Sequence, residues 1–385
     1  MGRESVTEGN LAVLNSPALE LPKATRAHDF GRALEATFKG FFKHLNDLDG
    51  PLAELITARQ DRIETLAASI MDAWYFGSDG EIESALSCLD TGLGSVQKEI
   101  ISMSRRHSRI LPGQCWYRLA AWEGVSAREH LFHTPFELPQ LSYRFSTPAT
   151  PSLYLANSVY LCWLECGRPR FERCFVARFE IDTTGFELLD IPASSDTYIS
   201  PLDFPDIPGL DIDARQLMNS PYVEEVTSEL AEYLTVWPLL AAATVRKRAS
   251  AWEQPPEYVI PQLLMLWVRE SDSYIGIRYF TSKIDRSTNS NDWPIDLALP
   301  ARTRKASGYC DFLRTRARWT EPQPLAKMRK LRAGDLATPA AAELRERRSG
   351  KVMLRRARSL QPYFETTFGK MEYWLDRAEL ELASI

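Results

Sequence analysis

The sequence lacks the features that mark a membrane or exported protein. Its uncharged apolar stretches VWPLLAAATV and VIPQLLMLWV are ten residues long. A helix that crosses a bilayer needs about twice that length. The amino terminus, MGRESVTEGNLAV, has no cationic start that leads into an apolar stretch, so it does not look like an export signal. We therefore expect a cytoplasmic protein.

Metal-site and disulfide patterns are also sparse. Six cysteines in 385 residues are too few for a disulfide framework. Cys162 and Cys166 could share one face of a helix, but no second ligand pair follows at the spacing of a zinc finger. His130 and His133 are not at the spacing of the HExxH zinc helix. The sequence therefore favours buried thiols and predicts no metal.

Several common catalytic motifs are missing from the chain. There is no GxGxxG after a strand, no GxxxxGK and no GxSxG. These motifs build the phosphate cradles of dinucleotide-binding and P-loop proteins and the nucleophile elbow of α/β-hydrolases. Their absence argues against a Rossmann-type dinucleotide site, a P-loop and an α/β-hydrolase elbow, and against no other mode of nucleotide binding.

Charge is present but unevenly distributed. The formal net charge is -5, yet residues 302–358 contain 17 Lys and Arg against 5 Asp and Glu, a local balance of +12 that leaves -17 elsewhere. Such a segment is typical of a nucleic-acid patch, of docking on the protein's own acidic surface or an anionic partner, or of a solvated helical face. Few aromatic residues interleave its densest part, which disfavours a stacking platform for single strands.

Hydrophobic periodicity predicts an amino-terminal helical domain. Residues 1–27 have no clear periodicity and are interpreted as a tail. Over residues 28–105 the apolar side chains recur at three- and four-residue steps, which indicates amphipathic helices. Pro51 is suited to the first turn of the second helix.

After the helical part, the sequence pattern changes to short β-like segments. Residues 111–300 are predicted to form an α+β domain. The predicted strands are QCWYRLA, SLYLA, CFVARFEI and YIGIRYFTS. Helices are predicted near residues 158–166, 222–234 and 261–268. Residues 301–385 are predicted to be a basic extension with two carboxy-terminal helices, one starting at TPAAAELRER and one from Pro362.

Five short motifs in this part of the chain form an ordered set. They are WYR at Trp116–Arg118, YRFS at Tyr143–Ser146, LYLA at Leu153–Ala156, Glu165, and GIRYFTS at Gly276–Ser282. In their order and spacing they resemble the RES domain family, which is named for its Arg, Glu and Ser. The resemblance extends from Trp116 to Ser282, and the amino-terminal helices loosely resemble modules that precede RES domains in longer proteins.

The resemblance implies an ADP-ribosyltransferase-like fold that binds NAD and breaks its nicotinamide glycosidic bond. Characterised RES proteins are bacterial toxins that deplete NAD by hydrolysis or phosphorolysis and are restrained by an antitoxin. NAD would be a substrate, and the resemblance implies no further cofactor and no metal.

The residue types of the motifs suit this chemistry. Arg118 and Arg144 can bind a pyrophosphate as bidentate forks. Glu165 ends the apolar run VYLCWL, so we expect a desolvated carboxylate, which would stabilise a ribosyl oxocarbenium ion. Tyr154 offers a ring to the nicotinamide, and Tyr117 is a weaker candidate for the same contact.

The chain departs from the family pattern at two places. The turn before LYLA is TPATP, with Ala149 where glycine is usual. The late strand is GIRYFTS rather than GIRYPS, so the hydroxyl comes from Thr281 by position or from Ser282 by identity. We favour Thr281 slightly and keep both.

Three further alternatives stay open. Glu165 could pair with Arg168 on the surface, an i, i+3 contact worth only tenths of a kcal/mol. The chain could transfer ADP-ribose to a protein or nucleic acid that segment 302–358 recruits. It could also be an inactive RES-fold protein that binds a partner or nucleic acid through that segment. The sequence leaves the acceptor and any oligomeric state undecided.

Overall fold

The computed structural model describes residues 7–23, 29–110, 115–124, 127–138, 141–191, 223–246, 255–281, 295–303, 305–330, 351–353 and 360–382. The chain divides into two compact units. Unit 1 comprises Met1–Pro112, Ser142–Phe145 and Glu187–Ile277. Unit 2 comprises Gly113–Leu141, Ser146–Phe186 and Arg278–Ile385. Ser282 and the helix predicted at TPAAAELRER lie outside the described residues.

Helices and strands both occur along the chain, which confirms the α+β class. The helices are α1 (Glu8–Leu14), α2 (Phe30–Leu45), α3 (Gly50–Thr57), α4 (Gln60–Ser78), α5 (Ile82–Ser95), α6 (Gln97–Ile110), α7 (Val159–Glu165), α8 (Val223–Ala243), α9 (Val259–Glu270), α10 (Asp311–Arg314) and α11 (Thr367–Leu375). In the described part of the chain, no helix combines the length and apolar character that a bilayer crossing requires.

The strands are mostly short. They are β1 (Trp116–Ala121), β2 (Ser152–Ala156), β3 (Cys174–Ile181), β4 (Glu187–Ile191), β5 (Tyr274–Phe280), β6 (Ile295–Pro300), β7 (Ala317–Trp319), β8 (Gln323–Pro324), β9 (Lys351–Met353), β10 (Leu360–Pro362) and β11 (Glu381–Leu382). Each of the four predicted strands corresponds to one of these elements, namely β1, β2, β3 and β5.

Unit 1 is mainly helical, and its helices pack on each other through the predicted apolar stripes. The Phe41 ring of α2 stacks on Trp237 of α8 with centroids 4.4 Å apart. The indole N–H of Trp74 in α4 donates to the carbonyl of Pro256 at 3.2 Å. The helices of residues 28–105 therefore share one unit with α8 and α9, because their stripes are buried against these later helices.

The interpretation of residues 1–27 as a tail is wrong for residues 8–23. Leu19 and Leu21 are buried, and the Leu19 carbonyl accepts a hydrogen bond from the Trp237 indole N–H at 3.2 Å. The carbonyl of Lys23 accepts from the backbone N–H of Arg246 at 2.8 Å. This segment packs through irregular backbone as well as through α1, so its burial leaves no periodic signal in the sequence.

Unit 2 contains an antiparallel sheet. Its strands follow the order β11-β7-β3-β1-β2-β6, and β8 pairs with β3. Strand β5 passes from one unit to the other: Tyr274–Ile277 belong to unit 1 and Arg278–Phe280 belong to unit 2. Strands β9 and β10 form a separate two-stranded sheet.

Helices α7 and α11 cover one face of this sheet. Their apolar side chains share a core cluster with β1 and β3, whose members include Tyr117, Leu119, Val176, Leu161, Phe368, Met371 and Leu375. The Phe368 ring packs edge-on against Tyr160, with centroids 5.2 Å apart. Helix α7 is therefore held between the sheet and the carboxy-terminal part of the chain.

The described part of basic segment 302–358 contacts unit 2 itself. The Arg316 guanidinium lies 5.0 Å from the ring centroid of Phe186, which is outside the segment. Arg329 forms an ion pair with Glu172 at 2.7 Å. These contacts fit the interpretation that the segment docks on the protein's own groups. Residues 304, 331–350 and 354–358 lie outside the described residues, so the rest of this segment stays a prediction.

Candidate functional site

Helix α7 ends in a way that places Glu165 in its last turn. The Gly167 N–H donates to the Leu164 carbonyl at 3.0 Å, and the Arg168 N–H donates to the Trp163 carbonyl at 2.9 Å. Gly167 and Arg168 have φ values of 78° and 61°. This is the Schellman arrangement, in which left-handed residues close a helix. The Glu165 carboxylate therefore lies at the negative end of the helix, where the peptide dipoles disfavour a negative charge.

The Glu165 carboxylate meets the end of strand β5. The Thr281 hydroxyl donates a hydrogen bond to Glu165 Oε1, and Thr281 is 7% exposed. Glu165 itself is half-buried, so the expectation of a fully desolvated carboxylate is corrected. Two of the predicted site residues, 116 positions apart in sequence, are brought together.

Helix α7 is fixed against strand β1 on both sides of Arg118. The Cys162 thiol donates to the Tyr117 carbonyl at 3.2 Å, and the Cys166 thiol donates to the Leu119 carbonyl at 3.4 Å. Burial raises the pKa of the Cys162 thiol well above its usual value, while the charge of Arg118 opposes this rise. Cys162 is therefore a neutral structural thiol. Within the described ranges, no group of three His, Cys, Asp or Glu side chains could hold a metal.

Strands β1 and β2 separate soon after they meet. Their ladder has one registered pair, Tyr117 with Ala156, whereas β1 and β3 are paired along the whole of Trp116–Ala121. Arg118 Nη1 donates to the Tyr154 carbonyl at 2.8 Å. A side chain therefore satisfies a carbonyl that a continuous ladder would bond through the backbone. The guanidinium of Arg118 lies at this opening of the sheet.

The ring of Tyr154 is tied to the preceding turn. Its hydroxyl donates to Ser146 Oγ at 3.2 Å, and its side chain is half-buried. The turn closes by a hydrogen bond from the Thr150 N–H to the Thr147 carbonyl at 3.0 Å. Arg168 is the one described non-glycine residue with positive φ, so the turn closes without left-handed backbone at Ala149. Alanine therefore fits where the family usually has glycine.

Tyr117 lies in the core of unit 2. It is 1% exposed, and its hydroxyl donates to Asp376 Oδ1 at 3.0 Å. Asp376 caps the end of α11. The position of Tyr117 is explained by packing and by this hydrogen bond, and its role in ligand contact stays a prediction.

Arg144 belongs to unit 1, whereas the other described candidates belong to unit 2. Its guanidinium donates to the carbonyls of Ala243 at 3.1 Å and Val245 at 2.7 Å. It also lies 5.3 Å from the ring centroid of Tyr258. Carbonyls at a helix carboxyl end attract a cation, so these contacts close helix α8. Binding of pyrophosphate by Arg144 stays a prediction.

Sequence reasoning missed Glu372, which lies at the start of α7. Glu372 is 0% exposed, and its Oε1 accepts a hydrogen bond from the Val159 N–H at 2.7 Å. The same oxygen accepts from the Tyr363 hydroxyl. The sequence contains one weak signal for Glu372, because this residue lies one turn after Phe368 on the apolar stripe of α11. A carboxylate on such a stripe indicates a buried partner.

One relative emerges from comparison with known proteins. A protein of Bacillus subtilis (strain 168) named "Putative toxin YopC" is 26% identical over 298 residues, which cover 75% of this chain and 64% of the relative. The chain thus spans 64% of the length of that relative. No protein-family model matches the chain, and no solved structure matches it. Membership of the RES family and the ADP-ribosyltransferase-like fold therefore stay predictions.

Proposed function

We propose that this protein consumes NAD by breaking its nicotinamide–ribose bond. The observation that carries the proposal is the hydrogen bond from Thr281 to Glu165. This hydrogen bond joins the predicted hydroxyl to the predicted carboxylate, which is half-buried at the carboxyl end of α7. A carboxylate at the negative end of a helix is not explained by helix stability, because a positive charge is preferred there.

The chemistry needs a negative group beside the ribose. When the bond between C1′ and the pyridinium nitrogen breaks, its electron pair leaves with neutral nicotinamide, and positive charge develops on the ribosyl ring. Glu165 would stabilise this oxocarbenium ion and accept hydrogen bonds from ribose hydroxyls. Water or phosphate would then add at C1′ and lose a proton. The Thr281 hydroxyl would hold the carboxylate in one orientation during these steps.

Arg118 and Tyr154 would bind the rest of NAD. Arg118 lies where β1 and β2 separate, and a guanidinium there would bind the pyrophosphate of NAD as a bidentate fork. The hydrogen bond between Tyr154 and Ser146 at 3.2 Å would fix the ring for contact with nicotinamide. Both residues are held by contacts within unit 2.

The toxin role is proposed from the Bacillus subtilis relative. That protein is named a putative toxin, and destruction of NAD is harmful to any cell that performs it. A protein of this kind would need restraint, so we propose an antitoxin as its partner. The relative's 64% coverage means that the activity of the whole relative is not transferred here.

The test is nicotinamide release from NAD by purified protein. Wild-type protein should release nicotinamide, and Glu165→Gln should lower kcat by about a hundredfold or more, as expected when a group that stabilises transition-state charge is lost. Glu180→Gln is the matched control, because Glu180 is an exposed carboxylate of the same unit. Equal activity of wild type and Glu165→Gln would overturn the mechanism.

The products identify the acceptor. ADP-ribose alone indicates water, and ADP-ribose phosphorylated at the same C1′, formed only with phosphate, indicates phosphorolysis. Label from NAD that becomes attached to protein or nucleic acid would indicate transfer instead. The described cations of segment 302–358 include Arg316 and Arg329, which contact Phe186 and Glu172 outside the segment. These contacts do not favour recruitment of a macromolecule.

A further inference from the structure

The start of helix α7 is held by the carboxy-terminal part of the chain. The Val159 N–H donates to Glu372 Oε1 at 2.7 Å. The Tyr160 N–H donates to the hydroxyl of Tyr363 at 3.3 Å. These are the first two N–H groups of the helix, which no helical carbonyl can satisfy. Side chains more than 200 residues away in sequence satisfy them, since the separations are 213 and 203.

The supporting segment is itself anchored to the sheet. Asp376 Oδ1 accepts from the Tyr117 hydroxyl at 3.0 Å. The Asp376 carbonyl accepts from Arg178 Nη1 at 3.2 Å. Helix α11 thus has one end tied to strands β1 and β3, and it offers Glu372 to α7 one turn earlier. The position of Glu372 is fixed by the same sheet that carries Arg118.

Helix α7 needs this support because it is short. It has seven residues, whereas isolated helices below about 12 residues are marginal in water. Buried Glu372 places negative charge at the positive end of the helix, where the dipoles favour it. Glu165 is about 10 Å away at the other end, given a rise of about 1.5 Å per residue. A shift or fraying of the first turn would therefore move the Glu165 carboxylate.

We infer that Glu372 is a positioning residue, which sets the place of Glu165 by capping helix α7. The inference rests on the proposed function for its catalytic consequence. Its structural consequence, an α7 helix that depends on Glu372, can be measured without NAD.

The experiment compares Glu372→Gln and Tyr363→Phe with wild-type protein. Backbone amide exchange is followed in peptides that cover residues 159–165, and nicotinamide release is measured in parallel. Glu365→Gln is the matched control, because Glu365 is an exposed carboxylate in the same short turn as Tyr363, Tyr363–Glu365. Tyr363→Phe keeps the test valid if Glu372→Gln does not fold.

We expect exchange of α7 amides to become at least about tenfold faster in both variants, and to accelerate about tenfold more than exchange in the peptides of β3. We expect kcat to fall by about tenfold to a hundredfold with little change in KM, as for small displacements of a reacting group. A merely structural role would instead lower the amount of active protein and leave kcat per active site unchanged.

The outcomes separate the two ideas. If wild-type protein releases no nicotinamide, the proposed function fails, and faster exchange confined to α7 still supports the capping role. If α7 exchange and kcat both match wild type in Glu372→Gln and Tyr363→Phe, the inference is overturned. An equal acceleration of exchange in α7 and throughout unit 2 would also overturn it, because Glu372 would then stabilise the whole unit without any particular effect on this helix.

Discussion

Two glutamates lie at opposite ends of helix α7, and their surroundings differ sharply. Glu372, from α11, is fully buried at the amino end, where it accepts hydrogen bonds from Val159 and Tyr363. Glu165, from α7 itself, is half-buried at the carboxyl end, where it accepts one from Thr281. The helix dipole favours a carboxylate at the first position and disfavours it at the second.

This difference distinguishes a residue that stabilises the fold from a residue that takes part in the reaction. A group that stabilises the fold is expected to be buried, satisfied and complementary to the local field, as Glu372 is. A group retained for reaction often lies where stability does not explain it. Glu165 has that character, and the two ends of one helix therefore make different predictions for stability and activity.

The largest expected effect is on stability at the buried end. Glu372→Ala should lower the free energy of unfolding by about 3 kcal/mol, because it leaves the Val159 N–H and the Tyr363 hydroxyl without this acceptor. Glu165→Ala should change stability by less than about 0.5 kcal/mol, since the lost hydrogen bond is offset by removal of an unfavourable helix-end charge. Urea titration of both variants measures this, and similar losses would remove the contrast between the two ends.

The same contrast extends to the two arginines that the sequence assigned to one pyrophosphate. Arg144 is engaged by the carbonyls of Ala243 and Val245 in unit 1, and Arg118 lies at the opening of the sheet in unit 2. Their contacts predict different functions. Arg144 closes a helix, and Arg118 is the arginine that we propose binds the pyrophosphate.

Replacement of each arginine by methionine is expected to have different consequences. Arg144→Met should cost about 2 kcal/mol of stability, because buried carbonyls lose charge-assisted hydrogen bonds, and should leave the Kd for NAD within about twofold. Arg118→Met should weaken NAD binding about tenfold or more. Kd is measured in the Glu165→Gln background to prevent turnover. Weaker NAD binding by Arg144→Met at unchanged stability would restore the pairing that the sequence suggested.

Much of the local structure was predictable from sequence. The alternating residues of CFVARFEI predicted β3, and the apolar stripe from Phe30 predicted α2. The apolar run before Glu165 predicted α7 and also its amino-terminal boundary near Ser158. These elements have periodic patterns because one of their faces is buried.

The remaining features depend on contacts that are distant in sequence. Glu372 acts on a helix 213 residues earlier, and nothing local in the sequence of α11 identifies Val159 as its partner. The shortest strands, such as the two-residue β11, have too few residues to show a period. Arg144 was assigned by its motif, and only the structure shows that the carboxyl end of α8 holds its guanidinium. Motif order alone cannot distinguish a helix-closing arginine from a ligand-binding one.

The smallest expected effects come from two hydroxyls, one at each end of α7. Ser158 Oγ accepts from the Leu161 N–H at 3.2 Å, so Ser158→Ala should cost about 1 kcal/mol of stability, the usual value for loss of an amino-terminal cap. Because Glu372 and Tyr363 still hold the first turn, the kcat of Ser158→Ala should change less than twofold, within about 0.4 kcal/mol.

Thr281→Val keeps the shape of the side chain but removes the donor to Glu165, so kcat should fall about tenfold, while stability changes by less than about 1 kcal/mol. Unfolding and nicotinamide release are measured on both variants, Ser158→Ala and Thr281→Val. The results decide whether stabilisation of the fold and catalysis depend on opposite ends of helix α7. A larger loss of kcat in Ser158→Ala than in Thr281→Val would show that they do not.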